Sequence, residues 1–292
     1  MFTAETRDVR IFQKVFNGLQ DFAEDAHWYC SKEGMHLQCV DRSNVALCSF
    51  YVPANSFDHY SCIRKVVLRF RVTNMTQILR CARRSDVLLL TCNDNDDRIK
   101  FVFESPKGER CAEFEMTLLD PQEDYLDVSK ISHDAHFCLP SKEFDRICQN
   151  LDRLGDVVDI SNDGEHVQFQ TSGNNDLEHA ITVYRQSCTG DDRQKPTQLS
   201  CARMMSLQLS VRYLRLSAEM TCLTSRVVLE MNEDSPLVVK YNLENFGQLT
   251  FYLGQRKDLA TNNFRRHRNV LKPPGVTSVP AGLRKCFLLS SH

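Results

Sequence analysis

The chain has 292 residues, with 36 Lys and Arg against 38 Asp and Glu, 42% hydrophobic residues and 13 cysteines. These proportions fit a globular protein of about two domains and exclude a disordered chain. No apolar run approaches the roughly 20 residues of a membrane-spanning helix, and the opening MFTAETRDVR has no apolar stretch of the signal-peptide kind. The near-neutral total hides an asymmetry. From Arg256 onward eight basic residues stand against one acid, Asp258, giving +7, whereas residues 1–255 hold 28 basic and 37 acidic residues, giving −9. The cysteines are odd in number, scattered and without a CxxC pair. That pattern argues against a disulfide framework or zinc ribbon and for reduced, largely buried thiols of an intracellular protein.

Asp8 is placed to cap a helix from 9 to about 22. Phe12, Val15, Phe16, Leu19 and Phe22 fall on one face, with Arg10, Lys14, Asn17 and Asp21 opposite. In WYCSKEGMHLQCVD, Gly34 marks a turn between two strand-like runs, and Met35, Leu37 and Cys39 alternate with polar residues. Strand character continues through Val45, Leu47, Ser49 and Tyr51 and over 66–72. A second helix is predicted over 74–83, with Met75, Ile78, Leu79 and Ala82 as its apolar face. Strands at 87–92, 99–104 and 112–118 follow. The intervening 93–97 reads as a turn, lacking the Gly and terminal Glu of a calcium loop. Residues 119–136 have no regular periodicity, carry Asp120, Glu123, Asp124 and Asp127, contain Pro121, and read as a long connector.

The pattern then restarts. Ser141 is placed to cap a helix over 142–154 whose apolar face is Phe144, Ile147, Cys148, Leu151 and Leu154, with Lys142, Arg146, Gln149 and Arg153 opposite. At an offset of 132 residues, Phe12 matches Phe144, Lys14 matches Arg146, Val15 matches Ile147 and Leu19 matches Leu151. Ile78-Leu79-Arg80 is answered by Tyr213-Leu214-Arg215. The shared order implies duplication of a unit with two helices and many strands, an α+β architecture. Strands at 227–231, 237–242 and 249–253 close the second half. Residues 256–292, with three prolines and a basic cluster that includes Phe264-Arg265-Arg266-His267-Arg268, read as a tail.

Charge is segregated by element. The four helical segments hold Arg10, Lys14, Arg80, Arg83, Arg84, Lys142, Arg146, Arg153, Arg212 and Arg215 against five acids, while the strands and loops around them are acidic. One basic face is the electrostatic footprint of a polyanion binder. Without an aromatic stacking stripe, it points to backbone contact and not to base reading. Catalysis has little support: the nine His are scattered, and HExxH, GxSxG and Walker patterns are missing. No enzyme activity, cofactor or metal is expected.

Several motifs together resemble the proliferating cell nuclear antigen family, the eukaryotic sliding clamps. They are the helix ending Leu19-Gln20-Asp21, Trp28, Gly34-x-x-Leu37-Gln38, Asp41, Phe57-Asp58-x-Tyr60-x-Cys62, Glu113-Phe114-Glu115-Met116, Glu143-Phe144-x-Arg146-Ile147-Cys148, Leu154-Gly155-Asp156, Arg212-Tyr213-Leu214 and Pro236-Leu237-Val238-Val239-x-Tyr241. The resemblance runs in order over residues 1–255. It implies the DNA clamp fold: an N-terminal clamp domain (1–118), an interdomain connector (119–136), a C-terminal clamp domain (137–255) and the basic tail (256–292).

The resemblance further implies a head-to-tail homotrimeric ring around double-stranded DNA, with helices lining the hole. It would be a nuclear processivity factor that recruits DNA polymerase, a clamp loader and peptide-motif proteins such as flap nuclease and ligase, with no membrane partner. The ten basic helix residues above would face DNA. Residues 110–118 of one subunit would pair with 177–185 of the next, with Arg110, Phe114, Met116, Leu177, Ile181 and Val183 at the interface. A peptide pocket beneath the connector would comprise Val40, Asn44, Val45, Leu47, Leu126, Val128, Pro236, Tyr252, Leu253, Gly254 and Gln255. The neighbouring alternatives are a checkpoint-type clamp subunit of a heterotrimer and a scaffold that does not encircle DNA.

This sequence departs from the family pattern at identifiable places. Positions usually basic on the inner helices are Gln13, Gln20, Gln77 and Glu219. The usual pocket methionine and histidine are Val40 and Asn44, and the lysine used for ubiquitin-type modification corresponds to Gly164. The basic tail replaces a short acidic ending.

Overall fold

A computed structural model describes residues 1–93, 96–120, 125–128, 133–171, 180–185, 198–201 and 203–256. The tail from Lys257 onward lies outside the described residues. The first half runs β1 (Phe2–Thr6), α1 (Val9–Leu19), β2 (Asp25–Ser31), β3 (Gly34–Val40), β4 (Ala46–Pro53), β5 (His59–Cys62), β6 (Val66–Arg71), α2 (Val72–Arg80), β7 (Val87–Cys92), β8 (Arg98–Glu104) and β9 (Cys111–Thr117). The second runs β10 (Ala135–Pro140), α3 (Ser141–Leu154), β11 (Val157–Asn162), β12 (His166–Thr171), β13 (Ala180–Arg185), β14 (Gln198–Cys201), β15 (Met205–Ser210), α4 (Val211–Ala218), β16 (Arg226–Met231), β17 (Leu237–Leu243) and β18 (Gly247–Leu253). Both halves read strand, helix, five strands, helix, three strands, so the duplication expected from the sequence is present element by element.

The strands form three antiparallel sheets. The first half contributes a five-stranded sheet, β5-β1-β7-β8-β9, and the second a four-stranded one, β13-β12-β11-β15. The third has nine strands in the order β14-β10-β16-β17-β18-β4-β3-β2-β6. It joins five strands of the second half to four of the first through the β18–β4 pair, with Tyr252 opposite Leu47 and Leu249 opposite Phe50.

Alternation fixes which side of each strand is dry. Met35, Leu37 and Cys39 of β3 sit opposite Val52, Phe50 and Cys48 of β4, and all six are buried beneath the helices. Helix α1 presses Phe12 and Phe16 onto Trp28, with ring centroids 6.3 and 5.8 Å apart, and Phe12 also meets Phe246 of the second half at 5.6 Å. One core therefore runs across both repeats.

Helix ends differ from the sequence expectation. Helix α1 stops at Leu19, whose carbonyl takes the amides of both Phe22 and Ala23 at 3.1 Å, so the chain closes into a turn while Phe22 stays buried. Helix α2 starts two residues early, at Val72, and ends at Arg80; the amides of Cys81 and Ala82 fold onto Ile78 and Leu79, leaving Arg83 and Arg84 on the following turn. Neither expected cap forms. The Asp8 side chain makes no capping bond, and Ser141 is the first residue of α3, behind Pro140, with its hydroxyl 3.4 Å from Thr224 Oγ1.

Candidate DNA-facing helices, partner groove and open sheet edges

The four helices form one layer. Helix α1 packs on α2, α3 packs on α4, and the turn Glu219–Cys222 after α4 touches both α1 and α3. Their apolar faces are buried, so the polar faces are left outward. Arg10, Lys14, Arg80, Arg83, Arg84, Lys142, Arg146, Arg153 and Arg212 are exposed, and Arg215 is half-buried. Arg215 is also largely neutralised, 2.9 Å from Glu219 and 3.5 Å from Asp145. Among the described residues, Arg10, Arg83, Arg84, Lys142, Arg146, Arg153 and Arg212 form no salt bridge, so their charge is available to an outside anion.

Two of the glutamines that replace basic residues act within the layer. Gln13 Nε2 donates to the Leu79 and Ala82 carbonyls at 2.8 and 3.0 Å, satisfying groups that the end of α2 leaves without helical partners. Gln20 Oε1 accepts from Arg80 Nη2 at 2.9 Å while Asn17 Oδ1 accepts from Arg80 Nε at 2.9 Å, tying α2 to α1. Lys14 donates to the Cys222 carbonyl at 3.0 Å, crossing between the repeats.

On the opposite face of the nine-stranded sheet, Val40, Leu47 and Tyr252 line up across β3, β4 and β18. Beside this row, Gln38 grips the connector at two points: its Nε2 donates to the Leu126 carbonyl at 2.8 Å, and its Oε1 accepts the Leu126 amide at 3.0 Å. Leu126 and Val128 are half-buried. At the other end of the connector, His133 Nε2 lies 2.9 Å and Lys240 Nζ 2.6 Å from Glu230. Burial alone pushes the Glu230 carboxyl up, but the hydrogen bonds and charges of His133 and Lys240 outweigh it and hold it down at about 2.

Asp41 ties the turn between β3 and β4. Its carboxylate accepts the amides of Ser43, Val45 and Ala46 at 2.8, 2.6 and 2.7 Å, and the Tyr213 hydroxyl reaches it from α4 at 2.9 Å. That turn carries Asn44, exposed and at φ 56°, a left-handed conformation that asparagine tolerates.

Among the described residues, β9 is one end strand of the five-stranded sheet and β13 is one end strand of the four-stranded sheet. On β9, Phe114 is half-buried and packs on Phe103 at 5.7 Å, whereas Met116 is 4% exposed and faces the chain's own core. Arg110 just before it is drawn to the buried carboxylate of Asp86. On β13, Val183 is exposed.

The family model of the proliferating cell nuclear antigen N-terminal domain matches residues 1–125, and that of the C-terminal domain matches residues 127–256. The chain belongs to the proliferating cell nuclear antigen family. It is a DNA sliding clamp with the duplicated α+β DNA clamp fold. Clamps of this family serve DNA replication and repair as non-enzymatic scaffolds and are typically nuclear.

Within this clamp, the residues expected to line the groove divide by strand parity. Val40, Leu47 and Tyr252 share the connector side of the sheet, Leu126 and Val128 belong to the connector itself, and Pro236, half-buried, directly precedes β17. Leu253 is fully buried in the core. Val45 is 5% exposed, and its carbonyl takes the Gly254 amide at 2.9 Å. Gln255 is 2% exposed, and its Nε2 donates to the carbonyls of Asn232, Glu233 and Ser235, so its side chain cinches the loop before β17. Leu177 and the side chain of Ile181 lie outside the described residues. Sequence reasoning did not single out Gln38 as a clamp on the connector, nor Tyr213 as a brace for Asp41. Gln38 stands at an ordinary polar position of the β3 alternation, and its place in the Gly34-x-x-Leu37-Gln38 motif was the one signal it carried.

Proposed function

We propose that this clamp closes as a homotrimeric ring around duplex DNA and acts as the processivity factor of a replicative DNA polymerase. The observation that carries this reading is the β18–β4 junction. It joins five strands of one repeat to four of the next into a nine-stranded sheet, and the corresponding strands of the other two sheets are β9 and β13, again five strands and four. Repeating the junction between copies pairs β9 of one chain with β13 of another. Such a heterologous contact propagates head to tail and closes into a ring when the rotation allows. It also covers two sheet edges that would otherwise invite aggregation.

Three copies are the number the family resemblance supplies. In that ring the basic helix layer faces the DNA, and scattered phosphate attraction without base contacts permits sliding. The groove of Val40, Leu47, Leu126, Val128, Pro236 and Tyr252 takes short peptides with a Gln, an aliphatic residue and two aromatics. Partners of that kind are polymerase, flap nuclease and ligase, with a clamp loader opening the ring. The domain limits at 118, 136 and 255, a nuclear site of action and the absence of catalysis belong to the same reading, and the basic tail adds contact with DNA or the import machinery.

The test is topological. The full chain, loaded by its clamp loader onto nicked circular DNA, is expected to stay bound through a high-salt wash, to leave when the circle is linearised, and to lengthen polymerase products. Retention on the linearised DNA would contradict encirclement.

A further inference from the structure

On the connector side of the nine-stranded sheet, Tyr29 of β2, His36 of β3 and Tyr51 of β4 stand directly opposite one another in a single cross-strand row. Tyr125 of the connector sits over this row. Its ring meets Tyr29 edge-on at 4.9 Å and 82°, and His36 edge-on at 5.5 Å and 72°. The Tyr125 hydroxyl lies 3.1 Å from His36 Nδ1, while His36 Nε2 lies 2.7 Å from Ser49 Oγ. The imidazole is thus held from both ends. Two residues further along β3, Gln38 holds both backbone groups of Leu126. A single amide side chain therefore makes the pair of bonds that a neighbouring strand would make, next to an aromatic contact that fixes the chain's approach.

We propose that Tyr125, with Tyr29 and His36 beneath it, latches the connector to β2 and β3 and so pre-forms one wall of the peptide groove. These three are positioning residues for partner binding. The proposal rests on the groove reading above and adds what holds the groove ready. A peptide entering a wall that is already in place does not have to order it, whereas a wall that spends most of its time undocked lowers the apparent affinity by the docked fraction. The aromatic contacts and the hydroxyl–imidazole bond each contribute on the scale that separates these regimes. Tyr125 is 42% exposed, so truncating it leaves the core intact.

The experiment compares the full-length chain with Tyr125→Ala and Tyr125→Phe. Hydrogen exchange is read at the Leu126 amide, and association and dissociation rates are read with a synthetic peptide containing the Gln, aliphatic and paired aromatic residues. Tyr125→Ala is expected to speed exchange at Leu126 by roughly tenfold and to weaken the peptide by roughly tenfold, mainly through slower association. Tyr125→Phe, which keeps the ring and loses the hydroxyl, should fall between. Unchanged exchange in Tyr125→Ala overturns the latch. Faster exchange with unchanged peptide rates overturns its positioning role. Failure of the unmodified chain to bind the peptide overturns the groove reading itself and the positioning role with it, and is distinguishable because the exchange result stands separately.

Discussion

Gly34 and Gly247 approach β4 from its two neighbouring strands, at φ +145° and +142°. A Cβ at Gly247 would lie 2.1 Å from the Tyr51 carbonyl oxygen, and one at Gly34 would lie 2.3 Å from that of Val52. Neither obstacle is a flexible side chain, so the backbone itself must move. Gly247→Ala is expected to cost roughly 3 kcal/mol, from a disfavoured dihedral and an overpacked junction together. Gly164, at φ +95° with open space around it, should cost roughly 1 kcal/mol as alanine. Denaturant unfolding of the two variants measures the difference, and equal losses would contradict the contact argument.

His36 gives a second prediction at this scale. Burial lowers its pKa from 6.5 to about 4, so it stays neutral in the fold. The unfolded chain then binds more protons between these values. Stability is fully present above pH 6.5 and is lost as pH falls toward 4. Between pH 7 and pH 5 the loss assigned to this group is about 2 kcal/mol. His36→Gln should flatten that part of the stability profile; an unchanged slope would contradict the assignment.

Among the elements, what was legible in the sequence was periodicity. The faces of α1 and α3 and the strands at 87–92 and 237–242 follow directly from apolar spacing, because burial on one side selects residues at that spacing. Helix ends were not legible, because they are decided by tertiary partners. Gln13 ends α2 from another helix, and Thr224 engages Ser141 from the turn that leads into the neighbouring strand β16. The short β1 gave too few alternations to register. The glutamines of α1 read in the sequence as missing charge, and only their distances reveal a cap and an acceptor.

The site was legible in part. Charge segregation marks the helix layer, but it does not reveal that Arg215 is neutralised by Asp145 and Glu219. For this reason Arg146, Arg153 and Arg212 are the better probes. Replacing all three by Gln should weaken binding to short duplex DNA and flatten its salt dependence, with oligomeric state unchanged. An unaltered salt slope would remove these residues from the DNA-facing surface. On β9, Phe114→Ala removes an aromatic from the open edge and should weaken self-association in a dilution series.

For the whole molecule, the β18–β4 junction and the two open edges are one feature seen twice, once satisfied within the chain and once requiring another copy. Nothing in the tail enters this argument, since the last described strand ends at Leu253. A chain cut after Gln255 should therefore assemble as the full chain does, while losing the eight-to-one basic excess that begins at Arg256. The most direct test of the central claim is the native mass of the purified full-length chain at micromolar concentration. Edge-to-edge closure predicts a single species of three 33.7 kDa copies, about 101 kDa. A persistent species at 33.7 kDa would contradict it.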